Sequence, residues 1–246
     1  MDKAGNYGIT PLNTFREAEC SVLCDLAQRS AAEQMAADER LALEGHSAIR
    51  LYCWRRPAVS LGWKQSPPAW LDSGRLEAER VELVERPSAG GIAFHGSDVS
   101  VAVVIPRARR SLHAVMQAAC QSAASVCADA GAEADVLLEA PGGPRPVCCL
   151  TQRSPYGVYI KGQGEARDRK VAGFAVRRYP RSWLVQGSLL VQPLPRRLER
   201  LVPDALADQL REQAVPLSEA AGAAVGVAEV ARHWAEWWSL WWDAVE

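Results

Sequence analysis

The sequence predicts an α+β fold, a single domain spanning residues 1–246, on three observations. Short runs rich in β-branched and aromatic residues crowd the middle of the chain. Helical patterns interrupt these runs, and from Pro195 onward strand signals vanish. No repeat and no linker composition divides the chain.

Taken in order, residues 30–44, SAAEQMAADERLALE, read as a helix. Ser30 can cap it and Glu33 sits three residues later, the spacing of a capping box. SAIRLYCW and PAVSLGW read as two strands joined by a turn at RRP. A helical piece begins near Pro68 and a strand follows at 81–85. GIAF is a short strand, GSD a turn, and VSVAVVIP a strand whose continuous apolar run predicts burial on both faces. Residues 111–132 form an Ala-rich helix closed by Gly131. After a loop, APGGPRP, four further strands are expected in VCCLT, YGVYIK, KVAGFAVRR and SWLVQGSLLVQ, with a polar loop at 161–170 between two of them. At about 226–245, Val227, Val230, Trp234, Trp237, Trp238, Trp241 and Trp242 recur at spacings of three and four. That pattern predicts an amphipathic helix burying one broad face on the sheet, although Trp on both faces of its last turns also suits a partner or a membrane surface.

Composition excludes several classes. The 28 basic and 29 acidic residues nearly cancel, so no basic field favours nucleic acid. Seven cysteines at positions 20, 24, 53, 120, 127, 148 and 149 show no CxxC spacing and no zinc pattern, so no metal is expected. The first residues lack the apolar core of a signal peptide, and no run approaches the roughly 18–20 apolar residues of a membrane span. Free thiols in a cytoplasmic setting are the expectation.

Chemistry concentrates in two passages. In RPSAGGIAFHG, paired glycines allow close backbone approach to a ligand, Arg86 can pair with an anion, and His95 can orient a ligand or carry a proton. Alone, a Gly pair is more often just a hairpin turn. The second passage, DRKVAGFAVRR, sets Lys170 at a loop-to-strand junction with Gly173 three residues on. Together with LVQGSLLV, these passages resemble the lipoate–protein ligase A and octanoyltransferase catalytic domain, a relative of the biotin ligases. AEQMAADERLA, PAVSLGWKQ and VPLSEAAG extend the resemblance to about residues 30–225.

The resemblance implies a mixed β-sheet flanked by helices around an elongated acyl pocket. By position it places Arg86, Ser88, Ala89, Gly90, Gly91 and His95 along the pocket, with Gly173, Gly187 and Ser188 near the acyl head. Lys170 would hold the carbonyl or phosphate oxygen, where a positive charge stabilises the developing negative charge. Three residues depart from the pattern: Ala89 and Phe174 replace the usual Gly and Ser, and Gln186 the usual His. A methyl at 89 is expected to narrow the backbone's approach, and Phe174 to push bulk towards the pocket.

The family implies two chemistries. A ligase would use ATP and Mg to form lipoyl-AMP and then acylate a carrier lysine. A transferase would need no cofactor, taking octanoate from acyl carrier protein, in one group through a Cys thioester. The Asn-Asp pair of the ligases is missing from LTQRSPYGVY, whereas Cys149 stands five residues before Ser154, as in the Cys-dependent pattern. Cys149 is therefore the expected nucleophile, with Cys148 buried. The acceptor would be a lysine of a lipoyl carrier domain. No accessory domain is expected within this length, so a ligase would need a separate accessory subunit or be a family member that manages without one. A non-catalytic acyl- or partner-binding relative is the third possibility, marked by the three departures.

Overall fold

The computed structural model describes residues 20–139, 147–162, 164 and 167–245. The N-terminal passage read against a signal peptide and the loop APGGPRP, residues 140–146, lie outside the described residues.

The chain opens with strand β1 (Ser21–Asp25), helix α1 (Ala31–Glu44), and strands β2 (Ala48–Tyr52) and β3 (Ala58–Leu61). The capping box of α1 is formed, with Ser30 and Glu33 bonding reciprocally, and Gly45 in left-handed conformation ends the helix. Helix α2 (Ser73–Glu79) and strands β4 (Glu82–Glu85), β5 (Ala93–His95) and β6 (Asp98–Pro106) follow. Next come helix α3 (Leu112–Asp129), capped by Ser111, and strands β7 (Ala134–Leu137), β8 (Gly157–Ile160), β9 (Arg169–Arg178) and β10 (Ser182–Leu190). Four helices close the chain: α4 (Arg196–Glu199), α5 (Asp204–Gln213), α6 (Leu217–Ala220) and α7 (Val227–Val245).

The strands form two mixed sheets. Seven run in the order β1-β2-β6-β10-β9-β8-β7, parallel only between β1 and β2. Three run β4-β3-β5, with β3 parallel to β4 and antiparallel to β5. The expected pair β2 and β3 is thus split between sheets rather than joined as neighbours. A second correction concerns VCCLT, which is no strand: only Cys148 bridges to Ile92, and the chain then turns. Edge strands β1 and β7 went unread in the sequence, being short and only partly buried.

Helices α3 and α7 cover one face of the large sheet. Val99, Val101, Val103 and Ile105 meet Met116, Ala119, Cys120 and Ala123 there, together with Trp234, Trp238 and Trp242. Trp234 and Trp238 are fully buried, so the Trp stripe of α7 is core. On the opposite face α1 packs Ala42 against Ala102, Val104 and Leu184. Strand β6 is therefore buried on both sides, as its apolar run requires. Among the described residues no helix is long and apolar enough to cross a membrane.

Candidate active site

The site forms where the small sheet meets the large one. Strand β3 ends at Leu61 and Gly62 follows, its backbone pressed against the loop that carries the Gly pair. A Cβ at Gly62 would sit 2.1 Å from the Gly90 carbonyl oxygen, and Trp63 N–H donates to Ser88 O at 2.9 Å. Gly90 itself has φ +107°, a backbone that L side chains rarely adopt. The methyl of Ala89 carries no such strain, because Ala89 is not among the positive-φ residues. Ala89, expected along the pocket, is not among the residues that line the cavity.

That cavity, of about 270 Å³, is lined mainly by apolar groups. It brings together Arg86, Gly90, Gly91, His95, Cys149, Lys170, Gly173, Gly187 and Ser188 from four separate passages. Ser88 lies behind it, fully buried, with its N–H and hydroxyl both donating to Gln186 Oε1 at 3.1 and 2.7 Å. Gln186 Nε2 donates onward to Asp38 Oδ2 on α1 at 2.7 Å. The amide at 186 thus ties the loop to a helix by using its donor and acceptor at once. Phe174 borders the cavity, but its ring lies across Gly187, where a Cβ would be 2.2 Å away, and edge-on to Trp234. Much of the bulk expected in the pocket is spent in that packing.

Arg86 is held by neutral oxygens. Its Nη2 donates to Ala89 O at 2.9 Å and Gly91 O at 2.7 Å, and lies 3.7 Å from Cys149 Sγ. Its Nη1 donates to Ser60 O and Oγ at 3.1 and 3.2 Å. The guanidinium therefore shapes the glycine loop from inside. His95 is likewise engaged on both ring nitrogens, with Ser60 Oγ at 2.8 Å from Nε2 and Asp98 Oδ2 at 2.8 Å from Nδ1. The ring stacks on Trp54 at 4.0 Å. Burial pushes the Asp98 carboxyl up, but His95, Ser188 Oγ and Gly96 N–H together outweigh it and hold the group below the usual carboxylate range. Ser188, placed by sequence near the acyl head, donates to Asp98 at 2.6 Å.

The opposite wall carries Cys149 and Lys170. Cys148 is fully buried and its thiol is pushed up to about 12 by burial, so it is inert. Cys149 is half-buried and faces the cavity, its Sγ 3.3 Å from Gly91 O. Lys170 is 2% exposed, with Nζ donating to Ser154 Oγ at 2.7 Å and to Gln152 O at 3.4 Å. Burial lowers its ammonium below the ordinary lysine range, and the nearby Cys149, Cys148 and Cys120 oppose the shift. Gly173 makes room for it: a Cβ there would stand 3.1 Å from Lys170 Cε. Sequence reading missed Ser60 and Asp98 as site residues. The HxxD spacing of His95 and Asp98 was the available signal for the second; nothing local marks the first.

Residues 27–238 match the family described as lipoyl protein ligase A/B catalytic domain. An octanoyltransferase LipM of Symbiobacterium thermophilum is 31% identical over 221 residues, covering 81% of this chain and 78% of the relative. Another, of Kyrpidia tusciae, is 28% identical over 220 residues, covering 79% and 77%. Among solved structures, a bi-partite lipoate protein ligase of Thermoplasma acidophilum superposes with a TM-score of 0.66 at 18% identity, covering 87% of this chain and 81% of that one. A lipoate-protein ligase A bound with ATP gives 0.68 at 18%, covering 87% and 83%. These two show the same fold. With the family match spanning most of its length, the chain belongs to the lipoyl protein ligase A/B catalytic domain family.

Proposed function

We propose that this protein is an acyltransferase that attaches an octanoyl group to a lysine of a lipoyl carrier domain through a thioester on Cys149. The observation that carries the reading is the placement of the Cys149 thiol at an apolar cavity, between the glycine loop and the buried Lys170. The LipM relatives, named octanoyltransferases, support the same chemistry.

In this reading the acyl chain lies in the cavity and its carbonyl carbon meets Sγ. Lys170, which Ser154 orients, faces the carbonyl oxygen and stabilises the charge that develops on it. Splitting the transfer at a thioester replaces one difficult step by two easier ones. The donor is an octanoyl thioester on acyl carrier protein; it is already activated, so the route calls for no ATP. No step is therefore routed through lipoyl-AMP, a magnesium ion or a separate accessory subunit. The departures at 89, 174 and 186 leave the site intact: Ala89 is unstrained, Phe174 is packed, and Gln186 is hydrogen-bonded at both ends.

The test is incubation with octanoyl-acyl carrier protein and a lipoyl-domain acceptor, recording intact masses of both proteins. The wild type should carry an octanoyl adduct and pass it to the acceptor; Cys149→Ala should show neither. Acceptor modification that needs ATP and survives Cys149→Ala would overturn the thioester route in favour of a ligase.

A further inference from the structure

Among the described residues the Cys149 sulfur has two hydrogen-bonding contacts, and they favour opposite states of it. Gly91 O, 3.3 Å away, accepts a proton-bearing thiol. Arg86 Nη2, 3.7 Å away, is a cation and favours a charged one. A thiolate has nothing to donate to the carbonyl and gains only from the guanidinium.

Lys170 is the other cation of the site, but its Nζ is turned to Ser154 Oγ and Gln152 O. Arg86 differs in what compensates it. Among the described residues no carboxylate pairs with it; its contacts are the neutral oxygens of Ser60, Ala89 and Gly91. The nearest anion along its hydrogen bonds is Asp98, reached only through Ser60 Oγ and the His95 ring. Ser60, Arg86, His95 and Asp98 are all buried, so the charge is weakly screened and its position tightly defined.

We propose that Arg86, rather than Lys170, is the cation that stabilises the charged sulfur of Cys149, with Ser60, His95 and Asp98 as the positioning residues that hold it there. The proposal rests on Cys149 being the acyl-accepting nucleophile. In the first step the Sγ–carbonyl bond forms and the donor's C–S bond breaks; the proton lost by Cys149 passes through solvent to the departing thiolate. In the second, the acceptor amine's N–C bond forms and the Cys149 S–C bond breaks; a proton from the amine returns to sulfur through solvent. Sulfur bears charge entering the first step and leaving the second, and Arg86 touches it in both. Lys170, oriented by Ser154, serves the carbonyl oxygen, so the two cations divide the work.

The experiment measures the rate of Cys149 alkylation by iodoacetamide in the full chain at neutral pH, read by peptide mass spectrometry. It needs neither donor nor acceptor, so it can fail while octanoyl transfer succeeds, and the reverse. Arg86→Gln should slow alkylation on the order of tenfold, whereas Lys170→Gln should change it by less than about twofold. Arg86→Lys, which keeps the charge, should recover part of the rate. Because Arg86 also shapes the loop, Ser60→Ala and His95→Gln provide a second arm that leaves the Nη2 bonds to Ala89 and Gly91 in place. Both should slow alkylation by about threefold, and because removing a buried partner also lowers stability, each rate is taken well below that variant's thermal midpoint. Unchanged alkylation in Arg86→Gln, or a larger loss in Lys170→Gln, would overturn the proposal. If Arg86→Gln fails to fold, wild-type alkylation rates in both Ser60→Ala and His95→Gln would overturn it equally.

Discussion

Two buried arginines, Arg50 and Arg86, are 2% and 6% exposed and are used in opposite ways. Arg50 on β2 lies between carboxylates: Nε donates to Asp25 Oδ2 at 2.9 Å and Nη1 to Asp38 Oδ1 at 2.7 Å, while Nη2 bonds Gln34 Oε1. Its charge is neutralised where it stands, and the cluster joins α1 to the large sheet. Arg86 meets carbonyls, a hydroxyl and a thiol, so its charge remains uncompensated at contact. The same residue type at similar burial joins a helix to a sheet in one place and, in the proposal above, acts on the Cys149 sulfur in the other. What separates them is the charge of their partners. Gln186 connects the two regions, since its amide reaches Asp38 of the first and Ser88 of the second.

The comparison can be broken in several ways. The largest expected effect is Arg50→Met, which leaves Asp38 buried without its cation and should cost about 3 kcal/mol in urea unfolding. Cys149 alkylation in that variant should match the wild type; a loss like that of Arg86→Gln would mean the two arginines are not functionally distinct. Gly90→Ala places a methyl 2.8 Å from Arg86 Nη2 on a backbone at φ +107°. It should cost about 2 kcal/mol and lower octanoyl transfer at least tenfold, measured by denaturation and by acceptor mass.

The smallest effect sharpens the anion side. Asp98 is held below its unfolded value, near about 3.9, so the unfolded chain binds the proton more tightly. Its contribution to stability is present above that value and lost as pH falls through the lower folded one. Asp98→Asn should therefore flatten the loss of stability below about pH 4, seen as a shallower fall in the urea midpoint. An unchanged acid slope would remove Asp98 from the linkage.

Much of the framework is legible in local pattern. The capping box of α1, the two-sided apolar run of β6 and the three–four spacing of Trp in α7 each report a neighbourhood of a few residues. These are the contacts that backbone periodicity itself creates. The glycines are legible for a related reason: a positive φ at Gly90 and the close approach at Gly62 admit no side chain.

Tertiary structure alone decided the rest. Strands β2 and β3 resemble each other in sequence yet enter different sheets, because pairing depends on partners far along the chain. VCCLT has strand composition but makes a single bridge before turning, and that turn is what presents Cys149 while burying Cys148. The partners of Arg86 could not be read either: Ser60 is 26 residues away and Cys149 is 63. The residue types at the site were thus determined by the sequence itself. Which of them share a charge was decided only when the fold closed, because a buried group's electrostatics belong to whatever packs around it.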